Sequence, residues 1–213
     1  MEILTTLYSA PRFHPGRKPH KTGTGKTVPR WSSLTAILVA VLLISTVAPV
    51  DAQPASVGEY ELKAAYLFNF ARFVQWPRET MNKNVIVIGI LGEDPFGRII
   101  EEIVEGETAQ GRPIKIERFT EVPEQSACHI LFISKSEKDR LDEIINQLRG
   151  QPVLTVGETE DFARMGGMVN FIFEGKKIRF QINNEAAEDN NIKIKSQLLK
   201  LAQIVKTRSN MSK

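Results

Sequence analysis

The sequence predicts an α/β fold: a single-layer mixed sheet with a parallel core and a C-terminal antiparallel hairpin, flanked by helices. Three observations point there. Val85–Leu91, His129–Ser134 and Pro152–Val156 are short, nearly continuous apolar runs, the composition of strands buried on both faces. They alternate with segments of helical periodicity, as parallel strands joined by crossovers do. Further on, Met168–Phe173 and Lys177–Ile182 flank Glu174-Gly175, and Ile178, Phe180 and Ile182 alternate with Lys177, Arg179 and Gln181, which is the pattern of a hairpin.

The elements follow in order. Glu59–Trp76 contains no Gly or Pro and reads as a helix stopped by Pro77. After the strand Val85–Leu91, Gly92-Glu93-Asp94-Pro95 turns into a helix over Pro95–Glu105, with Asp94 as N-cap and Pro95 at the first position. Pro113–Phe119 alternates apolar and polar residues, as a half-buried strand does, and Glu121–Ala127 reads as a loop. Ser136 caps a helix to Leu148, with Leu141, Ile144, Ile145 and Leu148 on one face and Gly150 beyond its end. A short helix is expected near Thr159–Arg164, broken by Gly166-Gly167, and one helical turn over Asn184–Asn190. Ser196 precedes a last helix, with Leu198, Leu201, Ala202 and Val205 at helical spacing.

Ahead of this body lies an address. Residues 1–30 are polar and basic, Leu34–Val47 holds fourteen residues without a charge, and Val50-Asp51-Ala52 offers a cleavage site. Fourteen apolar residues fall short of the roughly 20 that span a bilayer. The expected organisation is a signal peptide over 1–52, a linker over 53–59, an α/β domain over 60–206 and a polar tail over 207–213. An uncleaved anchor is the other reading of the apolar run. Thr22–Thr27 resembles the end of a phosphate-binding loop, but His20 stands where that loop needs its first glycine.

The chain of 213 residues has 28 Lys/Arg and 25 Asp/Glu, a net charge of +3, with 42% hydrophobic and 25% charged residues. That balance is of a soluble globular protein and excludes a disordered chain or a polytopic membrane protein. The basic excess belongs to the first 52 residues, and the remainder carries 22 basic and 23 acidic side chains. Such a body has no overall surplus to neutralise phosphates, so nucleic acid is not an expected partner.

Little in the body points to chemistry. It holds one histidine, His129, and one cysteine, Cys128. Neighbours on a strand point to opposite faces, so the two are poorly placed to share a metal. No nucleophile elbow or zinc motif is present. No catalytic residue, metal or cofactor is therefore predicted. A lone cysteine in an exported protein is either buried or paired between chains, and the apolar run after Cys128 favours burial.

In open α/β sheets, ligands lie beyond the carboxyl ends of the parallel strands. That rule selects Gly92, Glu93, Asp94, Phe96, Ser134, Gly157 and Glu158 as liners of a ligand crevice. On the first helix, Leu62, Tyr66, Leu67, Phe70, Phe73 and Val74 form an apolar arc wider than a surface helix needs. Phe68 and Trp76 fall within or beside its polar face, close to Arg72. Such aromatics either cover a sheet edge or dock a partner, and Phe68, Arg72 and Trp76 are the candidate interface residues.

Lys63–Pro77 (KAAYLFNFARFVQWP), Cys128–Ile133 (CHILFI), Val153–Asn183 with its GGMVNFIFEGKKIRFQIN core, and Lys195–Ala202 (KSQLLKLA) carry a resemblance. In this order they resemble the YfiR family of bacterial periplasmic proteins, from about Tyr60 to Val205. The resemblance implies a non-enzymatic exported regulator of a membrane signalling enzyme. Its implied partner is the periplasmic domain of an inner-membrane diguanylate cyclase, whose repression lowers cyclic di-GMP and biofilm formation, or of a sensor kinase. An outer-membrane lipoprotein or receptor is a further partner it implies, and a second copy in a homodimer is the other partner that the apolar arc of the first helix admits. The alternative is a periplasmic small-molecule-binding protein accessory to an outer-membrane receptor. The family's best-known member uses intrachain disulfides, which the single cysteine here does not permit.

Overall fold

The computed structural model describes residues 55–80, 84–124 and 127–208. The expected signal peptide and the phosphate-loop-like segment lie outside them. Chain order is helix α1 (Ala55–Phe73), strands β1 (Val74–Gln75) and β2 (Ile86–Leu91), helix α2 (Ile99–Val104), strands β3 (Thr108–Ala109), β4 (Arg112–Phe119) and β5 (Ile130–Ile133), helix α3 (Leu141–Leu148) and strand β6 (Leu154–Gly157). The hairpin strands β7 (Val169–Glu174) and β8 (Lys177–Ile182) follow, then helix α4 (Asn184–Asp189), strand β9 (Lys193–Ile194), helix α5 (Ser196–Leu199) and strand β10 (Gln203–Ile204). Two 3-10 turns, Lys135–Arg140 and Phe162–Met165, lie before α3 and after β6.

Eight strands form one sheet in the order β10-β8-β7-β6-β5-β2-β4-β3. Strands β4, β2, β5, β6 and β7 are mutually parallel, and β8 runs antiparallel to β7 with Glu174 opposite Lys177. The fold is thus the α/β class expected, with a parallel core and an antiparallel hairpin. Gly175 opens the two-residue hairpin loop at φ +63°, a conformation that glycine adopts at little cost.

The two-residue period of β2 feeds two cores. Ile86, Ile88 and Ile90 join Ile130, Phe132, Leu154 and Val156 beneath α1, whose Leu67, Phe70 and Ala71 are fully buried there with Val74 of β1. Val87 and Leu91 face the other way, with Leu131, Ile133 and Cys128, onto Leu141, Ile144 and Leu148 of α3. Each such aliphatic side chain contributes ~1.5–3 kcal/mol relative to exposure. Gln110, from the β3–β4 turn, donates from Nε2 to the Ala71 and Val74 carbonyls at 2.9 and 2.8 Å and so satisfies groups at the end of α1.

Several boundaries differ from the sequence expectation. The first helix begins at Ala55 and ends at Phe73, three residues before the expected Trp76. There the chain pairs instead with β9, Val74 opposite Ile194, and the Lys195 N–H donates to the Phe73 carbonyl. The second helix starts at Ile99 because Gly97, at φ +54°, interrupts right-handed winding. Asp94 Oδ1 accepts from the Phe96 N–H at 2.8 Å and caps the turn before the helix. The cap expected of Ser136 falls to Ser134, whose side chain accepts from the Ser136 N–H. The short helix expected over Thr159–Arg164 is the 3-10 turn Phe162–Met165.

The last helix is the largest departure. It spans only Ser196–Leu199, after which Gln203 and Ile204 pair parallel with β8. The Val205 N–H donates to the Ile182 carbonyl, while Leu201 stays 67% exposed. An open sheet edge offers those backbone groups partners at once, whereas a short isolated helix is costly to nucleate.

Candidate functional site

The expected crevice at the carboxyl end of the sheet is closed along half its length and open along the other. At β2 and β5 the chain's own side chains close it. A Cβ on Gly92 would lie 2.4 Å from Ser136 Oγ, which also accepts from the Glu93 N–H at 3.0 Å. Asp94 Oδ2 accepts from Arg118 Nε at 2.7 Å. Phe96 is buried edge-on between Tyr60 and Phe132, at ring-centroid distances of 5.5 and 4.8 Å. Ser134 is buried and donates its N–H to the Leu91 carbonyl. Gly157 is covered by the Phe162 ring.

The crevice opens at β6 and β7. β7 pairs with β6 only at Val169 and Asn170 and then runs on past its end. The space so created, about 420 Å³, is lined by Glu59, Tyr60 and Lys63 of α1, Lys135, Glu158, and Asn170, Phe171 and Phe173 of β7, among others. Glu158 alone of the seven expected liners borders it.

Lys63 is the structural centre of this space. It is 1% exposed, and its ammonium donates to Glu59 Oε1, one turn earlier on α1, and to Glu158 Oε2. Tyr60 Oη donates to both oxygens of Glu158 at 3.3 Å. The Tyr60 phenol is held well above its usual pKa, first by burial and then by the charges of Glu158 and Glu59, so it stays a proton donor. The Lys63 Nζ also lies 4.5 Å from the Tyr60 ring centroid and 5.6 Å from that of Phe173, within cation–π range. Asn170 is buried, and its Oδ1 has no hydrogen-bond partner among the described residues.

The interface candidates separate in space. Trp76 is buried, donates from Nε1 to the His129 carbonyl at 3.0 Å and meets the imidazole edge-on at 5.6 Å. His129 in turn accepts at Nδ1 from the Val87 N–H, and Cys128 is fully buried beside it. Phe68 is half-buried on the outer side of α1, with the exposed Arg72 guanidinium 5.6 Å from its ring centroid. The apolar arc of α1 is incompletely covered: Leu62 is 42% exposed. Beside it, Phe173 at the hairpin is 59% exposed, and the two border a groove of about 910 Å³ with Tyr66, Lys176 and Arg179.

A family model described as YfiR/HmsC-like matches residues 60–203, an interval that runs from Tyr60 of the crevice to the first residue of β10. The chain belongs to the YfiR/HmsC-like family. The matched interval holds the sheet except Ile204 and every lining residue named above except Glu59. The YfiR/HmsC-like chain is also similar to a solved structure described as the ABC domain in complex with L-Trp from Streptococcus pneumonia. Identity is 13% and the TM-score 0.43, over 57% of this chain and 56% of that one, so the chain spans little more than half of that structure.

Sequence reasoning missed Lys63, Tyr60 and Asn170. A signal for Lys63 was present: it falls inside the buried arc of α1, between the helical positions of Phe70 and Val74, four residues after an acid. Asn170 likewise interrupts an apolar strand between the buried Val169 and Phe171. A charged or amide group in such a place must find a partner, and that need marks a site.

Proposed function

We propose that this chain is an exported periplasmic regulatory protein that modulates a membrane-bound signalling enzyme by binding that enzyme's periplasmic domain. A diguanylate cyclase is the first candidate partner and a sensor kinase the second. Family membership supports a regulator rather than an enzyme. The observation that carries the reading is the uncovered side of α1. Leu62 and Phe173 expose apolar surface next to a groove, and Phe68 and Arg72 continue the same helix outward. Exposed apolar residues gathered in one place on a folded chain mark interaction surfaces. Among the described residues no helix is long and apolar enough to cross a membrane. In this reading the partner's membrane anchor supplies the link to the cytoplasm.

The test is direct binding. Protein recovered from the periplasm is immobilised and exposed to the periplasmic domains of cyclases and sensor kinases encoded beside its gene. Saturable binding, with a change in cyclic di-GMP output or kinase activity on deletion, is the expected result. Failure to bind any of them, or an unchanged output, overturns the proposal. N-terminal sequencing of the same material gives a start near Gln53 if the leader is cleaved as expected.

A further inference from the structure

We infer that the free half of strand β8 takes up an extended segment of the signalling partner, one that alternates apolar and acidic residues. The inference rests on the regulatory reading above and adds the chemistry of the docking partner to it. It starts from the sheet edge. β10 pairs with β8 only at Gln181 and Ile182, so Lys177–Phe180 meet no strand on that side among the described residues. The Val205 N–H donates to the Ile182 carbonyl, which fixes how the backbone groups of β8 turn. Those of Ile182, Phe180 and Ile178 face outward, and those of Lys177, Arg179 and Gln181 face β7. The N–H and C=O of Ile178 are thus an open template for one more strand. The continuation of this edge already holds β10, a strand of two residues.

The two faces of that edge differ. Ile178 and Phe180 turn their side chains toward α1 and are buried, while Lys177 and Arg179 turn theirs to the other face and are exposed. On the first face, the groove of about 910 Å³ between α1 and the hairpin lies beside Ile178, with Leu62 and Phe173 as its exposed apolar walls. A strand laid along Ile178 points every second side chain toward this groove, and apolar residues suit it. The alternate side chains lie beside Lys177 and Arg179. The chain's own acids answer these cations weakly. Arg179 meets the exposed Glu174 at 3.4 Å, and Lys176 and Lys177 enter no ion pair among the described residues. Glu59, the carboxylate in the groove lining, is held by Lys63. Three cations beside an already paired carboxylate select a segment that carries negative charge. In such strand addition the main-chain bonds supply affinity and the alternating side chains supply specificity.

Two capped peptides probe the class: one alternates valine with glutamate, the other valine with lysine. Each is titrated calorimetrically into protein purified from the periplasm. The glutamate peptide is expected to bind, more weakly at high salt, and the lysine peptide is not. N-methylation of its valines alone, or of its glutamates alone, tests the pairing, because a strand bonds to one neighbour through alternate residues. One of these two forms should lose binding and the other keep it. Lys177→Glu combined with Arg179→Glu, at exposed positions, should leave the melting temperature near the parent's. It should weaken the glutamate peptide by about tenfold or more and admit the lysine peptide. The same variant is then measured against whichever periplasmic domain the parent binds, with the same loss expected. Equal affinity of parent and variant for that domain overturns the inference and leaves the regulatory reading intact. Selective peptide binding with no domain bound upholds the edge chemistry and overturns the regulatory reading. Equal binding of both peptides, binding of neither, or full affinity in both N-methylated forms would each overturn the inference. So would a parent that sediments as a dimer beside a variant that sediments as a monomer, because the edge would then belong to a second copy.

Discussion

Lys63 and Glu158 form a buried ion pair across 95 residues of sequence, tying the first helix to the residue that follows β6. Neither charge would be tolerable there alone. Glu59 supplies a second carboxylate to the ammonium and Tyr60 a hydroxyl to Glu158, so each charge is met by more than one group. The pair fixes where α1 lies over the end of the sheet, and that position decides both the crevice behind it and the exposed surface in front.

Removal of one partner should therefore cost more than replacement of both. Glu158→Ala leaves Lys63 buried with Glu59 as its remaining partner. The expected loss is ~3 kcal/mol, the lower end for a broken buried pair. Adding Lys63→Met to that variant should restore most of it, because an apolar chain of similar length suits the aromatic surroundings. Urea unfolding of the two single variants and the double variant measures the cycle. Additive losses would show that the pair does not act as a unit.

The ring of Phe162 lies against two glycines, and this makes a second prediction. A Cβ on Gly167 would fall 2.2 Å from the ring and one on Gly157 2.7 Å from it. Gly167→Ala is expected to destabilise by at least ~1–3 kcal/mol through overpacking. Phe162→Leu in the same chain should recover part of the loss by giving the methyl room. Thermal melts of the three variants decide it, and an unaffected Gly167→Ala would refute the packing argument.

How much of this was legible beforehand follows from the range of each interaction. The central strands were readable because Ile86–Leu91, Ile130–Ile133 and Leu154–Gly157 are buried on both sides and so apolar but for Thr155. The hairpin was readable because its alternation and its Gly175 turn are local. The ends of α1 and α5 were not. Val74-Gln75 and Gln203-Ile204 are held by strands more than twenty residues away in sequence, and such pairing overrides local helical spacing. The strand-end rule located Glu158, but it also selected Gly92 and Gly157, which are glycine because Ser136 and Phe162 fill the space a side chain would need. Lys63 and Asn170 show their meaning only once burial is known.

At the far edge of the sheet, Arg118 donates to Asp94 Oδ2, Glu101 Oε1 and the Gly97 carbonyl at 2.7, 2.6 and 2.9 Å. The hydrogen bond from Arg118 is the main cause holding the Glu101 carboxyl below its usual 4.5. A carboxyl with a depressed folded-state pKa adds stability above its unfolded value, and that contribution fades as the pH falls through the folded one. Arg118→Met should thus cost stability at pH 7 and progressively less below about pH 4.5. The groups are substantially exposed, so ~0.2–1 kcal/mol is the expected size. Urea midpoints of parent and variant at pH 7 and pH 3 provide the comparison, and an equal gap at both would argue against the ion pair.

Trp76 offers a spectroscopic check on the core. Trp76→Phe removes one donor to the His129 carbonyl, which still accepts from the Leu154 N–H at 2.9 Å, and should cost ~0.5–1.5 kcal/mol, the net worth of one hydrogen bond. The difference between parent and variant fluorescence isolates the Trp76 contribution. It should be blue-shifted and resistant to iodide, as for an indole that is 7% exposed. A red, readily quenched difference spectrum would mean that this end of α1 is open to solvent.

The docking reading of α1 makes the last prediction, because stability and affinity should part company. Phe173 is 59% exposed, so Phe173→Ser should change folding by no more than ~0.5 kcal/mol. If Phe173 and Leu62 anchor the signalling partner, the same change should weaken association by about tenfold, the scale of an interface residue worth more than 1 kcal/mol. Phe68→Ala probes the neighbouring side of the helix, where the ring carries the Arg72 guanidinium. As a docking residue it should cost ~1–2 kcal/mol in association and little in folding. As a covering residue it should instead cost up to ~3–5 kcal/mol of stability while the folded fraction binds normally. Melting curves and partner affinities of the two variants, measured on the same preparations, separate these outcomes. Two stable variants with unimpaired binding would place the docking surface away from α1 altogether, and the exposed edge at Leu201 and Ile204 would then be the next apolar surface to test.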